Sequence, residues 1–231
     1  MAPAADRGAP KPEEVLFSWS GGKDSALALY EVTRDPRYRV VSLLTTVTED
    51  YGRVSMHGVR QVLLEQQARS LGLPLAVVPI AADESNEGYE ARMQEALTPF
   101  LERGVATVAF GDIHLEDVRA YRERNLARVG MRGLFPLWHR DGLPRRFIDL
   151  GFAAVVTCID TKALDGDLCG RHYDEAFLAA LPPHVDANGE NGEFHTFVFD
   201  GPLFRERVAF TWGEVVARGP FSYCDLVPRG G

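Results

Sequence analysis

A short polar turn separates two apolar segments near the start of the chain, in the stretch VLFSWSGGKDSALALYEV at residues 15–32. The turn combines serine hydroxyls, a lysine ammonium and two adjacent glycines, with an aspartate beside them. Its members are Ser20, Gly21, Gly22, Lys23, Asp24 and Ser25. Glycines let the backbone approach a ligand closely, and a helix that follows the turn would add its free N–H groups. These residues therefore predict a binding site for an anion, and phosphate is the expected ligand.

The residues of this turn match neither of the two common phosphate-binding motifs. A Walker loop needs a glycine five positions before its Gly-Lys pair and a Ser or Thr directly after it, but Phe17 and Asp24 hold those positions. The dinucleotide fingerprint GxGxxG also fails, because Gly21 and Gly22 are adjacent and no third glycine follows. A plain glycine turn is the alternative interpretation, although such a turn has no need of two flanking serines.

A second group of reactive side chains lies in the late stretch DANGENGEFHTFVFDGPLF, at residues 186–204. Asn-Gly pairs are typical of hairpin turns, and here Glu190, Glu193 and His195 crowd around them. Repelling carboxylates do not stabilise a tight turn. A site for a cation, or for a substrate that loses a proton, would explain them. A solvated hairpin turn explains the same letters equally well.

The first half of the chain alternates apolar runs with segments of helical spacing. The runs are EEVLFSWS, RVVSLLTTVT, LPLAVVPI and VATVAFGDI. Such runs are typical of strands buried on both faces, and the helical segments end at Gly72, Gly104 and Gly130. The alternation predicts an α/β fold, a doubly wound and mostly parallel sheet with right-handed crossovers.

Ligands of such sheets bind beyond the carboxyl ends of the strands. Besides the glycine turn, the candidate contacts at those ends are Ser18, Thr45, His57, Gly111 and Asp112. For His57, a place in a surface loop is an equally good interpretation. The six histidines show no HxxxH or His/Cys spacing, so we do not expect structural zinc.

The pattern changes after about Met131. A helix around residues 145–150, the strand-like run FAAVVTCID, a helix near residues 173–181 and a β-rich tail follow. They predict a smaller C-terminal α+β lobe that rests on the first domain. The expected division is a mobile tail at residues 1–14, a ligand-binding domain at 15–130 and the second lobe at 131–231.

Bulk composition limits the partners. The formal net charge of −8 gives no general attraction to nucleic acid, so a polyanion would need a local basic patch. Cys158, Cys169 and Cys224 form no CxxC pair, which favours packed, reduced thiols in the cytosol. The N-terminus lacks the apolar core of a signal peptide, and no run approaches the roughly 20 residues of a membrane span. We expect a cytoplasmic protein without a membrane partner.

The glycine turn resembles the pyrophosphatase loop SGGxDS of the N-type ATP pyrophosphatases and matches it at every fixed position. Four further segments occur in the order found in the diphthine–ammonia ligase family. They are SMHG at 55–58, GDI at 111–113, PLW at 136–138 and GENGEFHT with DGPLF in the late stretch. The likeness runs from about Val15 to the C-terminus. The late stretch departs from the family pattern GEGGEYET, in that His195 stands where the pattern has an acid.

This resemblance implies ATP-dependent amidation, in which a carboxylate is adenylated with release of pyrophosphate and ammonia then displaces AMP. The loop would hold the β- and γ-phosphates, Lys23 would neutralise phosphate, and Asp24 would help to hold Mg²⁺. Glu190, Glu193 and His195 would face the carboxylate-bearing acceptor, which in eukaryotes and archaea is a modified histidine of elongation factor 2. We expect Lys23 and Asp24 to project from an exposed turn, so that changing either would leave the fold intact.

Two other functions use similar features. A tRNA-modifying enzyme can carry the same loop, but it would want a basic face and, for thiolation, paired catalytic cysteines. A regulatory protein could sense ATP or AMP without turnover, and absent pyrophosphate release would favour it. The letters leave the acceptor, the source of ammonia and the oligomeric state open, a homo-oligomer included.

Overall fold

The computed structural model describes residues 11–49, 53–54 and 58–229, with residues 53 and 54 described by their backbone alone. In the first half, the strands are β1 (Glu13–Ser18), β2 (Tyr38–Thr48), β3 (Arg53–Val54), β4 (Leu75–Ile80), β5 (Thr107–Ala109) and β6 (Arg132–Leu134). The helices are α1 (Lys23–Arg34), α2 (Gln61–Leu71), α3 (Asn86–Glu102) and α4 (Glu116–Arg128). Strand β1 thus begins two residues before the domain boundary that the sequence suggested.

Five of these strands form a parallel sheet in the order β4-β2-β1-β5-β6. The short β3 pairs antiparallel with the last two residues of β2. Strand β1 is the central strand of this sheet, since its Leu16 pairs with Ser42 of β2 on one side and with Val108 of β5 on the other. The strand order reverses direction between β1 and β5, so the crevice beyond their carboxyl ends is the expected ligand position.

Helices cover both faces of the parallel sheet, which confirms the doubly wound α/β prediction. One buried cluster contains Leu27 of α1 and Leu63 of α2, and the other contains Leu97 of α3 and Leu126 of α4. Helices α2, α3 and α4 end one or two residues before the glycines that the sequence marked as stops. No helix in the described part of the chain is long and apolar enough to cross a membrane.

The second half builds a separate antiparallel sheet. Its elements are α5 (Leu143–Asp149), β7 (Ala153–Asp160), a 3-10 helix (Gly166–Leu168), α6 (Glu175–Ala180), β8 (Phe194–Asp200), β9 (Phe210–Arg218) and β10 (Phe221–Pro228). The strand order is β8-β7-β10-β9. All three cysteines of the chain lie buried and unpaired in this half, as predicted.

One of the two buried clusters joins the two sheets. The cluster that contains α1 and α2 continues without interruption into Phe147, Val155 and Phe197 of the second half. Burying apolar area in common stabilises the two parts together. The antiparallel sheet is therefore held against α1, and its edge strand β8 lies next to the glycine turn.

Candidate active site

The glycine turn lies between β1 and α1, at the carboxyl end of the central strand. Gly21 adopts φ 79°, a conformation that favours glycine. Ser20 Oγ accepts a hydrogen bond from the N–H of Gly22 at 3.2 Å, and Ser25 Oγ donates to the carbonyl of Gly22 at 2.9 Å. The two hydroxyls lie 3.1 Å apart. The serines that the sequence singled out thus fix the shape of the turn.

Gln67 of α2 anchors this turn from within the core. The side chain is fully buried, and its Oε1 accepts a hydrogen bond from Trp19 Nε1 at 2.9 Å. Its Nε2 donates to the carbonyls of Gly21, at 3.0 Å, and Val198, at 2.5 Å. The N–H of Val198 also donates to the carbonyl of Gly21 at 2.9 Å. One amide thereby connects β1, α2 and β8 around the candidate site.

Gly111 and Asp112, at the end of β5, differ in what they contact. A Cβ atom on Gly111 would lie 2.9 Å from the backbone of Asp24 and Ser25, so only glycine allows this approach to α1. The carboxylate of Asp112 instead lies 2.7 Å from Arg122 Nε of α4. Gly111 borders the glycine turn directly, and Asp112 fastens α4 to the same sheet edge.

Lys23 is nearly buried, with 5% of its side chain exposed. Its Nζ donates to both carboxylate oxygens of Asp24 at 2.7 Å and to the carbonyl of Asn188. The ammonium also lies 5.7 Å and 5.6 Å from the ring centres of Tyr173 and Phe194. The prediction that Lys23 projects from an exposed turn is wrong, because the late stretch folds over it. Its side chain connects the two halves of the molecule.

Asp24 lies beside Lys23 in the first turn of α1, where burial raises the pKa of its carboxyl group. Lys23 opposes that shift, and the carboxylate of Asp186 adds to it. Within the described residues, no three His, Cys, Asp or Glu side chains are grouped to hold a metal ion. One carboxylate is enough for Mg²⁺ when phosphate and water supply the other oxygens. The donor set fits Mg²⁺, since a cation would favour the charged form of Asp24.

The late turn at residues 186–193 is held together by its own side chains. Asp186 Oδ1 accepts hydrogen bonds from the backbone and side-chain nitrogens of Asn188, at 2.9 Å and 3.1 Å. Glu193 Oε1 accepts from the N–H of Asp186 at 3.2 Å and from Asn191 Nδ2 at 3.0 Å. The side chain of Glu193 is buried. Glu193 therefore closes the turn that carries Asn188 onto Lys23.

Glu190 reaches from this turn to the first half of the chain. Its Oε2 accepts hydrogen bonds from the N–H groups of Ile113, at 3.2 Å, and His114, at 3.4 Å. Burial raises the pKa of Glu190, and the nearby charge of Asp24 raises it further. The structure thus brings Glu190 beside the glycine turn, although 77 residues separate it from Ile113.

His195 is the member of the late stretch that lies away from the turn. Successive side chains of a strand point to opposite faces, and on β8 it is Thr196 that faces α1, where its Oγ1 accepts from the N–H of Lys23 at 3.0 Å. His195 lies on the other face, paired with Cys158 of β7.

The remaining candidates lie at the ends of the parallel strands. Ser18 is the last residue of β1 and pairs with Leu44 of β2. Thr45 is the next residue of β2 and is buried. The candidate His57 lies outside the described residues.

Several residues at this site were not identified from the sequence. They are Gln67, His114, Tyr173, Asn188 and Thr196. Asn188 and Thr196 belong to the quoted late stretch, so weighing its uncharged polar side chains as well as its charged ones would have found them. The sequence pattern around Gln67 does not indicate a role at the site, because a single glutamine is typical of the polar positions of an amphipathic helix.

Comparisons with known proteins assign this arrangement to a family. The family model for the diphthamide synthase N-terminal domain matches residues 13–133, and the model for the diphthamide synthase C-terminal domain matches residues 140–226. The chain belongs to the diphthamide synthase family. The glycine turn and Gly111 fall in the N-terminal domain of this family, and the late turn falls in its C-terminal domain.

Curated relatives of this diphthamide synthase family member carry the name diphthine–ammonia ligase. The protein from Schizosaccharomyces pombe is 26% identical over 234 residues, which cover 92% of this chain and 38% of the relative. The protein from Homo sapiens is 29% identical over 120 residues, which cover 48% of this chain and 45% of the relative. The chain thus spans less than half the length of the curated relatives it matches.

Proposed function

We propose that this chain is an ATP-dependent ligase that adenylates a carboxylate and converts it to an amide with ammonia. The observation that carries the proposal is the SGGKDS turn between the central strand and α1, beside the point where the strand order reverses. An anion bound there meets the N-terminus of a helix and a lysine. Membership in the diphthamide synthase family and the names of its relatives support the same reaction.

The first half of the reaction would use the glycine turn. ATP would place its β- and γ-phosphates against residues 20–25, and a carboxylate oxygen of the acceptor would attack the α-phosphorus. The bond from the α-phosphorus to the bridging oxygen breaks, and pyrophosphate leaves with the electron pair. Lys23 and the N-terminus of α1 would stabilise the charge on that leaving group. Asp24 would hold Mg²⁺, which supplies further charge neutralisation on the phosphates when bound.

The second half would use the late turn. Ammonia attacks the carbonyl carbon of the acyl adenylate, AMP leaves with the bridging oxygen, and the nitrogen must lose a proton. Glu190 is the proposed acceptor of that proton, because its carboxyl group lies near Asp24 and has a raised pKa. We assign Glu193 to holding the turn. His195 stays a proposed contact for the acceptor, on the sheet face away from the loop.

The products of turnover test this assignment. With ATP, Mg²⁺ and ammonium, with and without cell extract as a source of acceptor, we expect AMP and pyrophosphate in equal amounts. Chromatography separates them from ADP and phosphate. ADP with phosphate as the main products would overturn the proposal, because the bond broken would then be that of the γ-phosphate. Mass spectrometry of the extract would identify the amidated acceptor.

Two substitutions of Glu193 distinguish a role of its negative charge from its role as a hydrogen-bond acceptor. Glu193→Ala should weaken binding of a nonhydrolysable ATP analogue about tenfold or more, because the freed turn no longer holds Asn188 against Lys23. Glu193→Gln is the matched control, since its amide oxygen can still accept from Asp186 and Asn191. Calorimetry measures both. Should the glutamine variant bind normally and yet lose turnover, the charge itself would act in the reaction and the positioning role would be wrong.

A further inference from the structure

Strand β9 is the edge of the antiparallel sheet, and apolar side chains gather along it. Among the described residues, five large hydrophobic side chains are exposed, and only Val62 lies outside the β9–β10 hairpin. The other four are Trp212 (47% exposed), Val215 (54%), Val216 (40%) and Val227 (37%). Three of these four lie on β9 itself. Such concentration in one hairpin, rather than scatter, is typical of an interaction surface.

From Val215 to Arg218, this edge also lacks the lysine, proline or bulge that keeps edge strands apart. Exposed edge strands usually carry lysine or proline, or bend away at the edge. The segment TWGEVVA at residues 211–217 contains neither residue type and only one charge, Glu214. Its ladder with β10 shifts register once, between Cys224 and Leu226 of β10, and is regular from Val215 to Arg218. The regular part therefore offers a straight, unprotected edge.

The hairpin fixes which backbone groups face outwards. The two-residue turn at 219–220 closes on the pair Arg218 and Phe221. In an antiparallel ladder, hydrogen-bonded and non-hydrogen-bonded pairs alternate, so Arg218 and Val216 direct their N–H and C=O groups to β10. Val215 and Ala217 direct theirs away from the sheet, where a further strand could bond them.

We propose that two copies of this chain associate through β9 about a twofold axis at Val216, which joins their antiparallel sheets into one. An antiparallel pairing centred on Val216 places Val215 opposite Ala217 of the second copy, and these are the residues whose backbone groups face outwards. The bulge of β9 at Gly213 and Glu214 lies directly before Val215. Continuing the register by one residue into this bulge brings Glu214 to Arg218 of the second copy, twice. Opposite charges directly across a ladder stabilise it. The edge is thus complementary to itself in hydrogen bonding, apolar contact and charge.

Charge exchange tests this register. Sedimentation over a concentration series should show a dimer for the natural chain. Glu214→Arg, or Arg218→Glu, places like charges opposite each other twice and should raise the dissociation constant at least tenfold. The double exchange Glu214→Arg with Arg218→Glu should restore the dimer. Glu95→Arg, an exposed site on α3 with the same change in net charge, is the control and should leave association unchanged. A monomer at every concentration, or a double variant that stays dissociated, would overturn the proposal.

Cysteine cross-linking provides a second measurement. At a non-hydrogen-bonded pair on the axis, the two Cα atoms lie about 4.5 Å apart, within the range for a disulfide. Val216→Cys should therefore form a covalent dimer under mild oxidation. Val215→Cys lies off the axis, where the two copies of that residue are more than about 7 Å apart, and should not. Cross-linking of Val215→Cys in preference to Val216→Cys would contradict this pairing. The inference does not depend on the proposed reaction.

Discussion

Replacing Asp24 by asparagine should abolish AMP and pyrophosphate formation while the protein stays folded. Asparagine keeps the shape of the side chain but cannot carry the charge proposed to hold Mg²⁺ at the phosphates. Removing such a group lowers turnover by at least about a hundredfold. Pyrophosphate release with saturating ATP and Mg²⁺ measures the loss. Normal turnover in this variant would remove Asp24 from the proposed metal site.

The melting temperature of the same variant gives an independent readout. Because burial raises the pKa of Asp24, folding favours the protonated form over the charged one, so the charged carboxylate costs stability near neutral pH. Losing that charge removes this cost, but it also leaves the buried ammonium of Lys23 with an amide in place of its countercharge. The two effects oppose each other, so the melting temperature should change little. Asp141→Asn, at an exposed position after β6, is the control and should alter neither activity nor melting. A melting temperature that falls together with activity would mean that Asp24 is mainly structural.

Lys23 cannot serve the same purpose. Its aliphatic stem is buried between the two halves of the molecule, and its ammonium bonds Asp24 and the carbonyl of Asn188. Truncation to alanine would remove packing as well as charge. Loss of activity in that variant would therefore not separate catalysis from folding.

Replacing Gln67 by leucine should give the largest loss of stability of any single change at the site. The variant leaves Trp19 Nε1 and the carbonyl of Val198 buried without the partner they have now. Each such group costs about 1–3 kcal/mol, so the free energy of unfolding should fall by roughly 2–6 kcal/mol. Urea denaturation measures it. Turnover should fall as well, since the glycine turn loses its anchor.

The neighbouring Gln66 supplies a matched control. It lies on the same helix, and its Oε1 is buried with no hydrogen-bond partner among the described residues. Gln66→Leu removes an unsatisfied polar atom and should change stability little or raise it. Equal losses from the two glutamine variants would show that helix α2 tolerates neither substitution and that the network around Gln67 has no special role.

Sequence reasoning succeeded where one local pattern decides the structure. The apolar runs of β1 and β2 need burial on both faces, which the parallel sheet provides. The run of β4 forms a strand at the edge of this sheet, where only Val78 and Ile80 are buried. The position of the glycine turn follows from the same pattern, since the turn joins a buried strand to a helix. Both predictions depend on neighbours within about twenty residues, where spacing and propensity carry the information.

The parts that could not be predicted depend on contacts between distant residues. Burial of Lys23 comes from Asn188, 165 positions later, and nothing near Lys23 in the sequence announces it. The position of Glu190 depends on two backbone N–H groups, which every residue type offers. The late motif predicted a site, but only the fold shows which of its side chains face the loop.

The hydrogen bond from the N–H of Lys23 to Thr196 Oγ1 has a consequence for folding during synthesis. The two residues are 173 positions apart, so during synthesis the glycine turn leaves the ribosome long before the strand that completes its hydrogen bonding. A group of segments that folds as one unit cannot complete its folding until its last segment has been synthesised. The turn can be made first, yet it is among the last features of the molecule to take its final form.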